Sequence, residues 1–126
     1  MSQANIYFLN DASFSSDRKM LVPELKNKVV LIMAQASWCG HCQRAKPEFQ
    51  KAVDKWCQKP GVAFATIDGS QDSTESEKAL LARLDVEGFP TFFTWDLYGL
   101  NQVSPGDRSV DGFRAILDAA GAAGLD

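Results

Sequence analysis

The sequence predicts an α/β fold: a central mixed sheet of four to five strands with helices on both faces. Three observations predict it. Val29–Ala34 and Val62–Ile67 are short apolar runs rich in β-branched residues, as strands covered on both faces are. The segments between and after them carry apolar residues at the helical period, so strands and helices alternate. A late turn at Tyr98-Gly99 joins two short strand-like runs and adds an antiparallel edge. The order read along the chain is β-α-β-α-β-α-β-β-α. The crossovers between the early strands imply parallel pairing.

Ile6–Leu9 reads as an edge strand. Asp11 or Ser13 can cap a short helix carrying Phe14, Met20 and Leu21, which Pro23 interrupts by removing a donor and crowding the preceding turn. Glu24–Lys28 is a polar approach to the strand at Val29. After the turn Ala36-Ser37-Trp38, a helix extends to about Gln58, with Ala45, Phe49, Ala52, Val53 and Trp56 on one face. Pro47 inside it either kinks the first turn or is simply tolerated. Pro60-Gly61 ends that helix, and the next strand is Val62–Ile67. In the polar connection Asp68–Glu77, Thr74 and Glu77 have capping-box spacing ahead of a helix with Ala79, Leu80, Leu84 and Val86. The acidic part of that connection, about Asp72 to Glu77, reads as a solvated loop and helix start or as a partner contact. Gly88-Phe89-Pro90-Thr91 turns into a strand, Phe92–Trp95, with Trp95 in the core. A polar strand follows near Gln102-Val103, then a loop at Ser104–Arg108. The last helix, Asp111–Ala120, carries Phe113, Ile116 and Leu117. The tail, about 121–126, is expected to fray.

At 126 residues the chain is expected to form one domain spanning 1–126, long enough to bury a core. Apolar residues make up 45% and the net charge is −3, with no basic run, which argues against nucleic acid or a membrane as partner. No apolar stretch approaches the roughly 20 residues that span a bilayer. The N-terminus lacks a basic segment and a long apolar segment, and the C-terminus matches no retention signal. The simplest address is therefore a reducing compartment, the cytoplasm; an oxidising one would follow if the chain is a trimmed form. Three cysteines do not make a disulfide scaffold. Cys57, beside Trp56, reads as a small buried hydrophobe or as a regulatory thiol.

The chemistry lies in Val29–Phe49, where a buried strand, a turn, Cys39-Gly40-His41-Cys42 and a helix succeed one another. A thiol at a helix N-terminus meets free backbone N–H groups and the positive end of the dipole, which favour the thiolate, the nucleophile of disulfide exchange. Two residues of separation allow Cys39 and Cys42 to oxidise to each other. Half of a zinc site has the same spacing, but a closed site needs four ligands, and only His41 and Cys57 are nearby in sequence.

With Trp38-Cys39-Gly40-His41-Cys42, Pro47 and Gly88-Phe89-Pro90-Thr91 in that order, the chain resembles the thioredoxin superfamily from about Phe8 to Ala120. Its WCGHC is similar to the catalytic domains of protein disulfide isomerases, since thioredoxins proper usually carry proline in place of His41. The resemblance implies a thioredoxin fold and a thiol–disulfide oxidoreductase or isomerase that needs no cofactor. It implies protein or peptide substrates containing disulfides, and a separate redox partner or glutathione. Residue by residue it implies that Cys39 is the exposed attacking cysteine and Cys42 the buried resolving one, with Gly40 between them in the motif. Trp38 would flank the contact surface. Pro90 would be a cis-proline facing the disulfide, with Phe89 before it, and its backbone would pair with an extended substrate. Arg108 resembles a loop arginine that can approach the second cysteine and lower its pKa, or is an ordinary exposed arginine.

His41, the single histidine, can stabilise the Cys39 thiolate by charge and hydrogen bonding, or sit on the turn as a spectator. A stabilised thiolate favours the reduced form and makes the site a stronger oxidant. Isomerase-type sites lie near −180 mV against about −270 mV for thioredoxin, a gap worth roughly 4 kcal/mol for two electrons. The chain departs from the family pattern at Met33, where most members bury an acidic residue, and near Phe64, where many place a lysine. Gln35 replaces a usual aromatic and Ser37 a usual proline. Neither Met nor Phe can accept the proton of a resolving thiol. Slow resolution is therefore expected, unless His41, water or Glu48 takes over. The second functional reading is a thioredoxin-fold binding or holdase module with weak turnover.

Overall fold

The computed structural model describes residues 4–125. Its strands are β1 (Tyr7–Phe8), β2 (Val29–Gln35), β3 (Val62–Asp68), β4 (Thr91–Asp96) and β5 (Gly99–Val103). Its helices are α1 (Gly40–Trp56), α2 (Glu75–Arg83) and α3 (Val110–Ala119). One sheet results, in the order β1-β3-β2-β4-β5. β1 and β2 run parallel to β3, with Met33 opposite Thr66, and the β2–β4 and β4–β5 pairs are antiparallel, with Met33 opposite Phe92. This is the mixed sheet that the two apolar runs and the late hairpin predict.

Because strand side chains alternate between faces, each buried strand feeds two cores. Leu31, Met33, Phe64 and Phe92 face α1 and α3, meeting Phe49, Val53, Trp56, Phe113 and Leu117. Val30, Ile32, Ala65, Ile67 and Phe93 face the other way, against Leu80, Leu81 and Leu84 of α2 and its flank and the N-terminal residues Leu9, Phe14, Met20 and Leu25. Phe49 anchors the first core with edge-to-face contacts to Phe64 and Phe113, at centroid distances of 5.8 and 5.9 Å. Trp95 is half-buried at the margin of the second core, its indole N–H donating to the Lys26 carbonyl.

Four local expectations are corrected. The N-terminal segment is not a helix carrying Phe14, Met20 and Leu21. A single 3₁₀ turn, Asp11–Ser13, is capped by Asn10 rather than by Asp11 or Ser13, and Phe14 then pairs with Met20 across an isolated antiparallel bridge. The reversal passes through Arg18 at φ 63°, which a helix cannot accommodate. Arg83 locks this segment to α2, donating to the Asp11 carboxylate and to the carbonyls of Asp11 and Ser15. Within the polar approach to β2, Leu25 is buried in the second core. α2 ends at Arg83, so Val86 lies beyond it. The tail does not fray as far as it is described: Leu125 is 6% exposed in the first core, and Arg114 donates to its carbonyl at 2.7 Å. Asp126 lies outside the described residues.

Candidate functional site

The site begins where β2 stops. Past Gln35 the chain needs a tight turn to enter α1, and Ala36-Ser37-Trp38 supplies it, the Cys39 N–H donating to the Ala36 carbonyl at 3.2 Å. Two side chains clamp this turn. The Ser37 N–H donates to Ser70 Oγ at 2.8 Å, and Gln43 Nε2 donates to the Ser37 carbonyl at 2.7 Å. Ser70 is itself held, its N–H donating to Asp68 Oδ1 at 3.0 Å. The start of the connection after β3, ahead of the acidic part at Asp72–Glu77, therefore buttresses the cysteine turn.

Cys39 is the N-cap of α1, and its Sγ accepts the Cys42 N–H at 3.2 Å. A sulfur in that position satisfies one of the free amides that every helix start leaves open. On its other side the Sγ lies 3.3 Å from the Phe89 carbonyl, to which the thiol can donate. That carbonyl belongs to the Phe89–Pro90 peptide, which is cis, as the resemblance implies. Trp38 is 62% exposed and stacks edge-to-face on Phe89 at 5.8 Å, forming one rim of the site.

All three cysteines are unpaired thiols. Cys39 is less exposed than the resemblance implies: 5% of its surface is accessible, because Ala36, Cys42 and Phe89 pack around it, and Cys42 has none. Their acidities diverge. Burial pushes Cys39 upward, but the Cys42 thiol, the N–H groups of Cys42 and His41 and the charge of Arg108 together bring it below the ordinary thiol value. Burial is the main cause that pushes Cys42 up to about 11, and the hydrogen bond it donates to Cys39 and the Cys39 charge add to it. A backbone hydrogen bond from Ala36 and the charge of Lys46 work in the opposite direction.

Two expected roles are redistributed. His41 acts on Cys39 through its backbone N–H. Its exposed ring is held by Arg44, whose Nη2 lies 2.7 Å from Nδ1. The Arg108 charge bears on Cys39, where the resemblance implied an action on Cys42. His41, Arg44, Ala45 and the Pro105–Arg108 loop line a cleft of about 380 Å³ beside the thiols. Gly40 leads into the first turn of α1 with open space where a Cβ would stand.

Met33 is fully buried among Phe49, Phe64 and Phe92, and Phe64 is equally buried. Among the described residues no Asp, Glu, Lys or Arg is buried. Glu48, a possible proton acceptor by its place on α1, is turned elsewhere: it accepts from Lys51 Nζ and from the Val110 N–H at the start of α3.

Sequence reasoning passed over Gly69. A Cβ built there would stand 2.2 Å from Phe89 Cζ, so the Phe89 ring occupies the space a side chain would take. The only cue in the sequence is an Asp-Gly-Ser at the end of a buried strand. Gly69→Ala is expected to push Phe89 away from Trp38 and Cys39, slowing thiol exchange about tenfold while costing about 1–3 kcal/mol. Alkylation kinetics of Cys39 alongside a urea melt check this; an unchanged rate at reduced stability would show that Phe89 does not position the sulfur.

Comparison with known proteins agrees with this arrangement. The family model described as Thioredoxin matches residues 6–119. The chain is 40% identical over 101 residues to the thioredoxin-like protein 453L of Invertebrate iridescent virus 6, covering 69% of this chain and 72% of that protein. It is 33% identical over 89 residues to a protein disulfide-isomerase of Triticum aestivum, of which it spans 17%. The solution structure of the first thioredoxin domain of mouse protein disulfide-isomerase A4 superposes with a TM-score of 0.70 at 24% identity, over 100% of this chain and 82% of that one. Thioredoxin f from spinach chloroplast, long form, gives 0.66 at 20% identity, over 94% and 88%. The mixed sheet, the cysteine pair at the start of α1 and these likenesses converge: the chain belongs to the thioredoxin family, as a thioredoxin-like domain related to those of protein disulfide isomerases.

Proposed function

We propose that the chain is a thiol–disulfide oxidoreductase acting on protein and peptide disulfides, with isomerase capacity. The observation that carries this reading is the position of Cys39 Sγ: at the N-cap of α1, accepting an amide, and beside the carbonyl of the cis Phe89–Pro90 bond. In the first step the Cys39 thiolate attacks one sulfur of a substrate disulfide. A Cys39–substrate bond forms, the substrate S–S bond breaks, and the departing thiolate takes a proton from solvent. Cys42 then loses its proton and attacks Cys39. The substrate's second thiol leaves, and the two electrons it gained are those that Cys39 and Cys42 lost in pairing. A separate dithiol or glutathione returns the site to its reduced form. The reverse sequence installs disulfides, and departure of the mixed disulfide to another substrate thiol isomerises them.

Trp38 and Phe89 provide an apolar wall for the substrate, and the backbone at Pro90 lies where an extended peptide would pair. Insulin reduction tests the reading: the wild type accelerates it, and equal rates for wild type and Cys39→Ala reject it.

One observation favours a second reading. With Met33 and Phe64 in the core and Glu48 engaged by α3, the Cys42 proton has no buried carboxylate to receive it among the described residues. A chain that attacks readily and resolves slowly holds its clients as mixed disulfides, as a binding module would. Rapid release of a mixed disulfide whenever Cys42 is present argues for the enzyme; accumulation of the adduct in the wild type argues for the holdase.

A further inference from the structure

The cleft beside the thiols points to a preference among substrates, an inference that rests on the function proposed above. We propose that Arg44, with Arg108 opposite it, forms a subsite for a carboxylate side chain next to the reacting cysteine of a peptide substrate. The cleft of about 380 Å³ is lined by His41 and Arg44 from α1 and by the Pro105–Arg108 loop. It opens beside the cysteine motif, since His41, which lines it, stands between Gly40 and Cys42 in the first turn of α1.

Its charges are unevenly matched. Neither Arg44 nor Arg108 is among the residues that form ion pairs with described carboxylates. Asp107, the one acidic residue in the lining, has Oδ1 engaged by the Ser109 N–H and hydroxyl ahead of α3. Glu48, nearby, is engaged by Lys51 and the Val110 N–H. A chain of net charge −3 thus presents, beside its cysteine motif, two guanidiniums without carboxylate partners among the described residues.

The guanidinium has no acceptor, so Arg44 must donate to His41 Nδ1. The neutral ring then carries its hydrogen on Nε2. That contact fixes the Arg44 side chain across one helical turn and leaves its remaining N–H donors for a carboxylate, which guanidinium groups bind with paired hydrogen bonds. The other flank of the motif differs in sign: Trp38 and Ser37 border a smaller hollow with Gln71 and Asp72. A peptide crossing the site would meet an acidic flank on one side and a basic cleft on the other, which sets both its preferred charge and its direction.

The test uses two quenched-fluorescent peptide disulfides, identical except for Glu or Gln beside the cysteine. The wild type is expected to cleave the Glu peptide about fivefold faster in kcat/KM, as one partly exposed charge pair allows. Arg44→Gln brings the ratio to about one, and about 0.5 M salt reduces it in the wild type. A wild-type ratio near one, or a preference that survives Arg44→Gln, overturns the subsite. Should neither peptide be cleaved, the oxidoreductase reading itself fails, and binding decides the inference separately. Ser-for-Cys forms of both peptides are titrated while the His41 ring and Arg44 side-chain resonances are followed. Saturation by the Glu form at lower concentration upholds the subsite, and equal titrations remove it.

Discussion

Cys39→Ala is expected to lower insulin reduction by about a thousandfold or more, to the uncatalysed background, because removing a nucleophile leaves only residual binding effects. Cys42→Ser is expected to do something different. The first attack still occurs, so the variant accumulates a covalent adduct on Cys39 that is stable until an external thiol releases it. The asymmetry follows from the two thiols' surroundings. Cys39 is held below the ordinary thiol value because the hydrogen bonds from Cys42 and His41 and the Arg108 charge together outweigh its burial. Cys42 is buried and pushed to about 11. The pH dependence separates them. Attack, read from adduct formation in Cys42→Ser, climbs as Cys39 ionises and levels off once pH passes its pKa, below the ordinary value of a thiol. Resolution, read in the wild type from release of a preformed adduct, keeps climbing about tenfold per pH unit past the midpoint of attack, since burial still holds Cys42 above the ordinary thiol value when Cys39 is in the adduct. Attack and resolution sharing one pH midpoint would mean that the burial difference between the cysteines does not govern the chemistry. Equal activity in Cys39→Ala and wild type would remove Cys39 from the reaction.

What the sequence made legible is what local pattern encodes. β2 and β3 stand out because strands buried on both faces are apolar at nearly every position, and α1 because its apolar period persists for four turns. The Thr74–Glu77 box marks the start of α2 because the two side chains satisfy orphan amides reciprocally, and the structure has both bonds. The N-terminal segment was illegible for the opposite reason. Phe14 and Met20 are brought together by a reversal at Arg18 and by Arg83 reaching across from α2, contacts that no local spacing announces. Leu125 was illegible because two glycines and three alanines precede it in the last seven residues, masking one anchored side chain. The site shows the same division. The pair Cys39 and Cys42 and the cis bond before Pro90 are carried by motif. The Gly69 space for Phe89, the Ser70 brace on Ser37 and the Arg44 contact to His41 are not, because each depends on tertiary placement.

Met33→Glu is expected to speed release of a Cys39 mixed disulfide at neutral pH by tenfold or more. Burial, the main cause that raises Cys42 in the free dithiol, persists when Cys39 is held in a mixed disulfide, so only a small fraction of molecules carries the resolving thiolate at neutral pH. A carboxylate on the same face of β2 would act as a base toward that thiol, directly or through water, and positioned bases contribute roughly 10²–10⁴-fold. Only part of that is expected here, because a carboxyl group placed among Phe49, Phe64 and Phe92 is itself desolvated and held toward its protonated form. The same desolvation costs about 3 kcal/mol of stability, against the 1.5–3 kcal/mol that a buried Met contributes. Met33→Gln separates the two effects. It matches the shape and the polar burial of Glu but cannot take the proton, so it should lose comparable stability without the gain in rate. Stopped-flow release of a glutathione adduct, measured beside thermal melts of all three proteins, decides the matter. A gain in Met33→Glu alone, with a flatter pH slope than the wild type, assigns slow resolution to the apolar β2 position. Equal release from all three would place the Cys42 proton on a route that bypasses β2, and the holdase reading would then lose its physical basis.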